Sequence, residues 1–186
     1  MAYTGQSIQN PISGETITFL ATAADTEGER LEIELVLTPD GHVPGAHVHP
    51  SQEERFEVLE GTMKFKLGLK TIVAEAGDVV VVPAGKTHRF KNIGDADARA
   101  RVTVTPALDM EYLFETAVAL AEAGRTNRKG MPKPLDLALF VERFEDEVQA
   151  PFPPAPVVRA LMAPLRLVAR QRESGLRPAG LSPTPA

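Results

Sequence analysis

Three of the four histidines in this chain, His47, His49 and His88, fall in two short segments rich in glycine and proline, and a carboxylate pair, Glu53 and Glu54, follows the first two. On an extended strand, side chains two apart project from the same face. His47 and His49 can therefore offer two imidazole nitrogens to one point. The short polar connection Pro50-Ser51-Gln52-Glu53 can turn the chain and return the Glu54 carboxylate to that point. His88 opens another extended segment, after the turn-forming run Pro83-Ala84-Gly85-Lys86. Three imidazoles and one carboxylate form a borderline donor set. Such a set suits one divalent first-row ion (Fe, Mn, Ni, Co, Cu or Zn) better than Ca or Mg, which favour all-oxygen shells. A lone histidine in a strand is ordinarily a surface or satisfied core residue. The separate His88 on its own turn, together with the carboxylate, makes a metal site the expectation. His42 lies outside the phase of the pair and reads as a loop residue.

The same period-two geometry says what surrounds the ion. If Glu54 faces inward, so do Phe56 and Val58, and if His88 does, so does Phe90. After Gly61, Met63, Phe65 and Leu67 share an apolar face opposite Lys64 and Lys66. Phe56, Met63, Phe65 and Phe90 are thus the expected wall of an apolar substrate pocket, which favours an aromatic or hydrophobic small molecule over a sugar. The bland alternative is that these side chains simply fill the interior. Arg99 and Arg101 alternate with Ala98, Ala100 and Val102, so they should face away from the core. At such a site an enol, phenol or hydroxy-ketone oxygen bound to the ion loses its proton more readily. Glu54 or Glu53 would serve as the catalytic base.

The two segments also carry a family resemblance. The first reads Gly41-x5-His47-x-His49-x4-Glu54-x6-Gly61 and the second Gly77-x5-Pro83-x-Gly85-x2-His88-x3-Asn92. Together they closely resemble the paired motifs of the cupin superfamily, over about residues 30–106. The resemblance implies a cupin jelly-roll barrel (a double-stranded β-helix), with metal ligands at His47, His49, Glu54 and His88. In that pattern Glu54, not Glu53, keeps the usual six residues before Gly61. Cupins with three histidines and one glutamate include dioxygenases of quercetinase or small-diketone type. The resemblance therefore implies a metal-dependent, dioxygenase-like oxidoreductase. Two alternatives are a metal-dependent isomerase or lyase, and a non-catalytic metal-containing module that binds a small molecule. A homodimer is implied as well, since cupins commonly pair through outer strands.

The elements that must position these residues are legible in outline. Arg30–Thr38 alternates, with Leu31, Ile33, Leu35 and Leu37 on one face and Glu32 and Glu34 on the other. Further short strands are expected at Thr16–Ala23, Ala46–His49, Arg55–Leu59, Thr62–Leu67, Thr71–Glu75, Val79–Val82, His88–Asn92 and Ala98–Thr105, punctuated by Gly61, Gly68, Gly77 and Gly94. Val79–Val82 is apolar on both faces and reads as a central strand. Residues 1–15 are polar and read as an arm or loop. Many short strands with regular turns point to a mostly β sandwich or barrel. After Pro106 the period changes. Asp109–Ala123 is expected to be a helix with Asp109 as N-cap and Gly124 as stop. Leu135–Val148 is a second helix, and Val157–Arg172 a third, interrupted at Pro164. The expected organisation is a β-barrel domain over 1–108, a C-terminal α-helical extension over 109–172 and a disordered tail over 173–186.

Length and composition narrow the rest. A chain of 186 residues accommodates one well-buried core and is short for two domains. There is no cysteine, which removes disulfides and thiolate metal sites and fits a reducing, cytoplasmic setting. The first residues lack the pattern of a secretory signal, and no apolar run is long enough to span a bilayer. A net charge of -5 with no basic, aromatic-studded stripe argues against nucleic acid as a partner. Residues 157–172 carry four arginines beside leucines and valines. That pattern fits membrane-surface contact, but docking on the barrel or on a sister subunit is the expected use.

Overall fold

The computed structural model describes residues 2–175, with side chains through Gln171. Nine strands and three helices follow one another: β1 (Ser7–Asn10), β2 (Glu15–Ala21), β3 (Leu31–Leu37), β4 (Glu53–Glu60), β5 (Thr62–Leu67), β6 (Lys70–Glu75), β7 (Val79–Val82), β8 (His88–Asn92), β9 (Ala98–Thr105), α1 (Met110–Glu122), α2 (Pro134–Arg143) and α3 (Ala155–Gly175). The strands form two antiparallel sheets, one of six strands in the order β1-β2-β3-β9-β4-β7 and one of three in the order β6-β5-β8. This mostly β architecture is a jelly roll of two antiparallel sheets followed by helices. Alternation decides which face is inside. Leu31, Ile33, Leu35 and Leu37 of β3 are buried, and so are Ala98, Ala100, Val102 and Val104 of β9. Arg101 points outward, and Arg99 meets Glu60 at 2.5 Å and Glu34 at 3.9 Å on the outer face.

The sheets close on an aromatic cluster. Phe56 of β4 packs on Phe65 of β5 and Phe90 of β8, with ring centroids 5.1 and 5.0 Å away. Each buried phenylalanine contributes about 1.5–3 kcal/mol of transfer free energy, and each ring pair about 0.5–1.5 more. The free edge of β8 is lengthened by the chain that carries the first two histidines. His42 pairs with Lys91, and His47 and His88 exchange N–H···O bonds of 3.0 and 2.9 Å. Residues 46–49, expected as a regular strand, are therefore held by bridges alone, because Pro44 and Gly45 break the ladder between His42 and His47.

Several expectations change. Residues 1–15 are not simply an arm, since β1 pairs with β2 in a hairpin, Ile8 opposite Ile17. β7 is an edge strand rather than a central one. Val80 and Val82 are buried, but Val79 and Val81 are 45% and 40% exposed, because nothing pairs beyond β7 in that sheet. Asp109 precedes α1 but makes no side-chain cap; its carboxylate pairs with Arg143 at 2.6 Å. Gly124 does stop α1, in the left-handed conformation at φ 64°. α2 ends at Arg143, five residues before Val148, and the chain turns away to pair with Val48. α3 runs unbroken through Pro164 and lies on α2, where Arg166 and Arg170 both meet Glu142, while Arg159 meets Glu145 just beyond the end of α2. Its arginines through Arg170 thus face acidic partners on the extension. Residues 173–175 form the end of α3, and the rest of the expected disordered tail lies outside the described residues. Among the described residues no helix is long and apolar enough to cross a membrane.

Candidate metal centre

Glu54 comes from the large sheet, whereas His47, His49 and His88 come from the edge of the small one. β4 presents Glu54 inward because its residues alternate, with Glu54, Phe56 and Val58 buried. The turn before β4 is pinned by Gln52, fully buried, whose Nε2 donates to the carbonyls of Pro106 and Ala107 at 3.0 Å each. Across the barrel, the His47–His88 backbone pair sets those two rings side by side, centroids 4.2 Å apart, with His49 within 5.2 Å of both. One donor atom from each of His47, His49, Glu54 and His88 lies within 4.8 Å of all the others.

The hydrogen bonds select the donor atoms. Each ring's Nδ1 faces a backbone carbonyl: His47 that of Gly45 at 3.0 Å, His88 that of Lys86 at 3.2 Å, His49 that of Glu147 at 2.5 Å. A carbonyl only accepts, so Nδ1 carries the hydrogen and Nε2 turns its lone pair to the centre. Nε2 of His88 is 2.7 Å from Glu54 Oε2, and that of His49 is 3.4 Å from it. Neither contact is aligned as a hydrogen bond, and all three buried atoms lack a partner. Lone pairs facing a carboxylate at that separation need a cation between them, a proton or a metal ion. The donor set fits a divalent first-row ion.

Electrostatics follow from this geometry. Burial alone would raise Glu54, but His49 and His88 outweigh it and hold the carboxyl well below its usual range. Burial alone would lower His49; the Glu54 carboxylate and the Glu147 carbonyl reverse that and raise it. His47 is pushed down to about 4 by desolvation and by the neighbouring His88 and His49. His47 is also the least buried of the four, so the centre meets solvent on its side.

The remaining candidates are placed as follows. Glu53 is exposed on the opposite face of β4, away from the cluster. Phe56, Met63 and Phe65 are at most 1% exposed and Phe90 8%, and the three rings pack on one another inside the barrel. His42 stays in its loop, Nδ1 on the Asp40 carbonyl. Sequence reasoning missed Glu147. Its contribution is a backbone carbonyl, which leaves no residue-type signal.

Residues 34–105 match the family model described as the cupin domain. The chain is 28% identical over 102 residues, 54% of its length, to "Polyketide synthase CurC" of Streptomyces cyaneus, and it spans 58% of that relative. Among solved structures, a predicted oxalate decarboxylase from Thermotoga maritima is 26% identical with a TM-score of 0.48, over 55% of this chain and 92% of that one. KdgF from Halomonas sp. superposes with a TM-score of 0.50 at 15% identity, over 57% of this chain and 93% of that one.

Proposed function

From the match of residues 34–105 to the cupin domain, we propose that this chain is a metal-dependent enzyme of dioxygenase type acting on a small apolar or aromatic enol, phenol or diketone. One observation carries the reading. Two histidine nitrogens and a carboxylate oxygen meet in the barrel with no hydrogen-bond partner, beside a third histidine. Evolution of a core would not leave three orphaned polar atoms in contact without a ligand, since each costs about 1–3 kcal/mol unsatisfied. His47, His49, Glu54 and His88 would hold the ion. When bound, it supplies a Lewis acid for a substrate oxygen and, if redox-active, a means of engaging dioxygen.

The chain's own groups supply the rest. The Nδ1 hydrogen bonds hold the three rings with Nε2 inward, so little reorganisation is needed at the moment of reaction. Glu54, kept ionised, is the group placed to take the enol or phenol proton. Glu53, on the other face, has no part. Phe56, Met63, Phe65 and Phe90 form an apolar floor that excludes water beneath the centre, and substrate approaches past His47.

A second reading keeps the same centre without dioxygen. The Streptomyces relative is named a polyketide synthase, and polyketide chains carry 1,3-diketone and phenol groups. Proton transfer or ring closure on such groups is isomerase or lyase chemistry. Metal analysis of purified protein beside His88→Ala tests the shared premise: close to one equivalent in the wild type, lost in the variant. Oxygen uptake with a panel of phenols and diketones then separates the readings. Turnover without oxygen uptake favours the second, and protein that takes up no metal even on reconstitution would leave a non-catalytic binding module.

A further inference from the structure

The three histidines of the centre are not held alike. His47 and His88 each donate Nδ1–H to the carbonyl two residues earlier in their own loops, those of Gly45 and Lys86. Any chain that forms those turns forms those bonds. His49 uses no such local acceptor, and its Nδ1–H reaches the carbonyl of Glu147, 98 residues on. Glu147 stands where the chain leaves α2, in the helical extension and outside the residues that match the cupin domain.

That segment is fastened on three sides. Val48 N–H donates to the Gln149 carbonyl at 2.9 Å, and Gln149 N–H returns to the Val48 carbonyl at 2.8 Å. The buried Glu147 side chain accepts the backbone N–H of Asp109, at the head of α1, at 3.2 Å. Phe144, 1% exposed, anchors the turn between the rings of Tyr112 and Phe140, with centroids at 5.4 and 4.8 Å. The early end of α2 frees these residues to lie along residues 47–49.

We propose that Glu147–Gln149 is a positioning strap for the metal centre: the helical extension, not the barrel, aims Nε2 of His49, so docking of the extension and metal binding are coupled. The inference rests on the reading that the four-residue cluster holds a metal ion. Without the strap, the His49 ring loses its only fixed Nδ1 acceptor and is free to rotate about its side-chain bonds. Partners of this kind behind a ligating histidine typically set metal affinity by about 10–100-fold. Coupling between two binding events is reciprocal, so the ion should in turn tighten the strap.

The test uses the full chain and Co(II) as probe, titrated by its visible absorption. Gln149→Pro removes the N–H that pairs with Val48 and keeps an extended backbone. Gln149→Ala keeps that N–H and loses only the side chain, whose Nε2 bonds the Glu145 carbonyl. The proline variant should bind Co(II) about tenfold or more weakly, and the alanine variant within about twofold of wild type. Independently of any variant, hydrogen exchange at the Val48 and Gln149 amides should slow when wild-type protein is loaded with Co(II). Equal affinity in both variants, or exchange unaffected by Co(II), overturns the strap while leaving the metal reading intact. If the proline variant does not fold, the exchange measurement decides alone. Wild-type protein that binds no Co(II) removes the metal reading and the strap with it.

Discussion

The buried contact of His49 and His88 with Glu54 makes this protein's stability depend on pH. In the metal-free chain His49 is raised above its ordinary 6.5, so its contribution to stability is full below that value and is lost as pH rises through the raised one. Glu54 is depressed, so its contribution is full above its ordinary 4.5 and is lost as pH falls through the depressed value. Between those two ordinary values the metal-free pair is strongest. A metal ion must displace the His49 proton, so its advantage grows as that proton becomes easier to lose. His47, down to about 4, is already neutral and imposes no such cost near neutrality. The rise in Tm on adding Zn(II) should therefore be larger at about pH 8 than at about pH 5.5. An equal or larger rise at the acidic pH would contradict the assignment of His49 as a ligand.

Among the elements, the tight connection from β4 in the large sheet to β5 in the small one has Glu54 and Phe56 before it and Met63 and Phe65 after it, and its turn depends on Gly61. That residue sits at φ 77°, and a Cβ there would meet Ala98 Cα at 2.8 Å and the Asp97 carbonyl at 2.9 Å. Both obstacles are backbone or next to it, so neither can swing aside. Gly61→Ala should cost at least about 2 kcal/mol from the left-handed conformation and the clash together. In a domain of this size each kcal/mol moves Tm by about 2–4 °C, and thermal unfolding followed by circular dichroism measures it. An unchanged Tm would mean that the turn relaxes without strain. The Asp109–Arg143 pair behaves differently. Both side chains are about half exposed, so it is an exposed ion pair of the kind that ordinarily contributes little.

Over the whole molecule, the helical extension reaches the histidine chain of the barrel through Glu147 and Gln149. α3 is paired with Glu142 of α2 and with Glu145 just beyond it, while the segment between α2 and α3 reaches the His47–His49 chain. Deleting Val157–Ala186 should therefore leave the β signal in circular dichroism and Co(II) affinity near wild type, with a loss of helical signal and weaker packing of α2. Loss of the β signal on that deletion would mean that α3 is required for the barrel core. A chain cut before Glu147 should differ, keeping the barrel but binding Co(II) more weakly, as the strap requires.

What the sequence determined by itself was whatever neighbouring side chains encode. The period-two alternation of Leu31–Leu37 and Ala98–Thr105 placed those strands and their buried faces, and Thr62–Leu67, Val79–Val82 and His88–Asn92 emerged with the expected bounds. The spacing of His47, His49, Glu54 and His88 was enough to single out four residues that the fold brings to one point. Only the tertiary structure decided what depends on partners distant in the chain. Val79–Val82 became an edge strand because no strand pairs beyond it, which four apolar residues cannot reveal. The Asp109 carboxylate turned to Arg143 instead of capping α1, since a cation brought alongside competes with the helix N–H groups. α2 stopped short and Gln149 took Val48 as its backbone partner in both directions, while the Val148 N–H still reaches the Phe144 carbonyl, a tertiary override of a sound apolar stripe. The acceptor for His49 was invisible for a related reason. Every residue has a carbonyl, so which one lies behind a histidine is settled by the path of the folded backbone and not by the identity of any side chain.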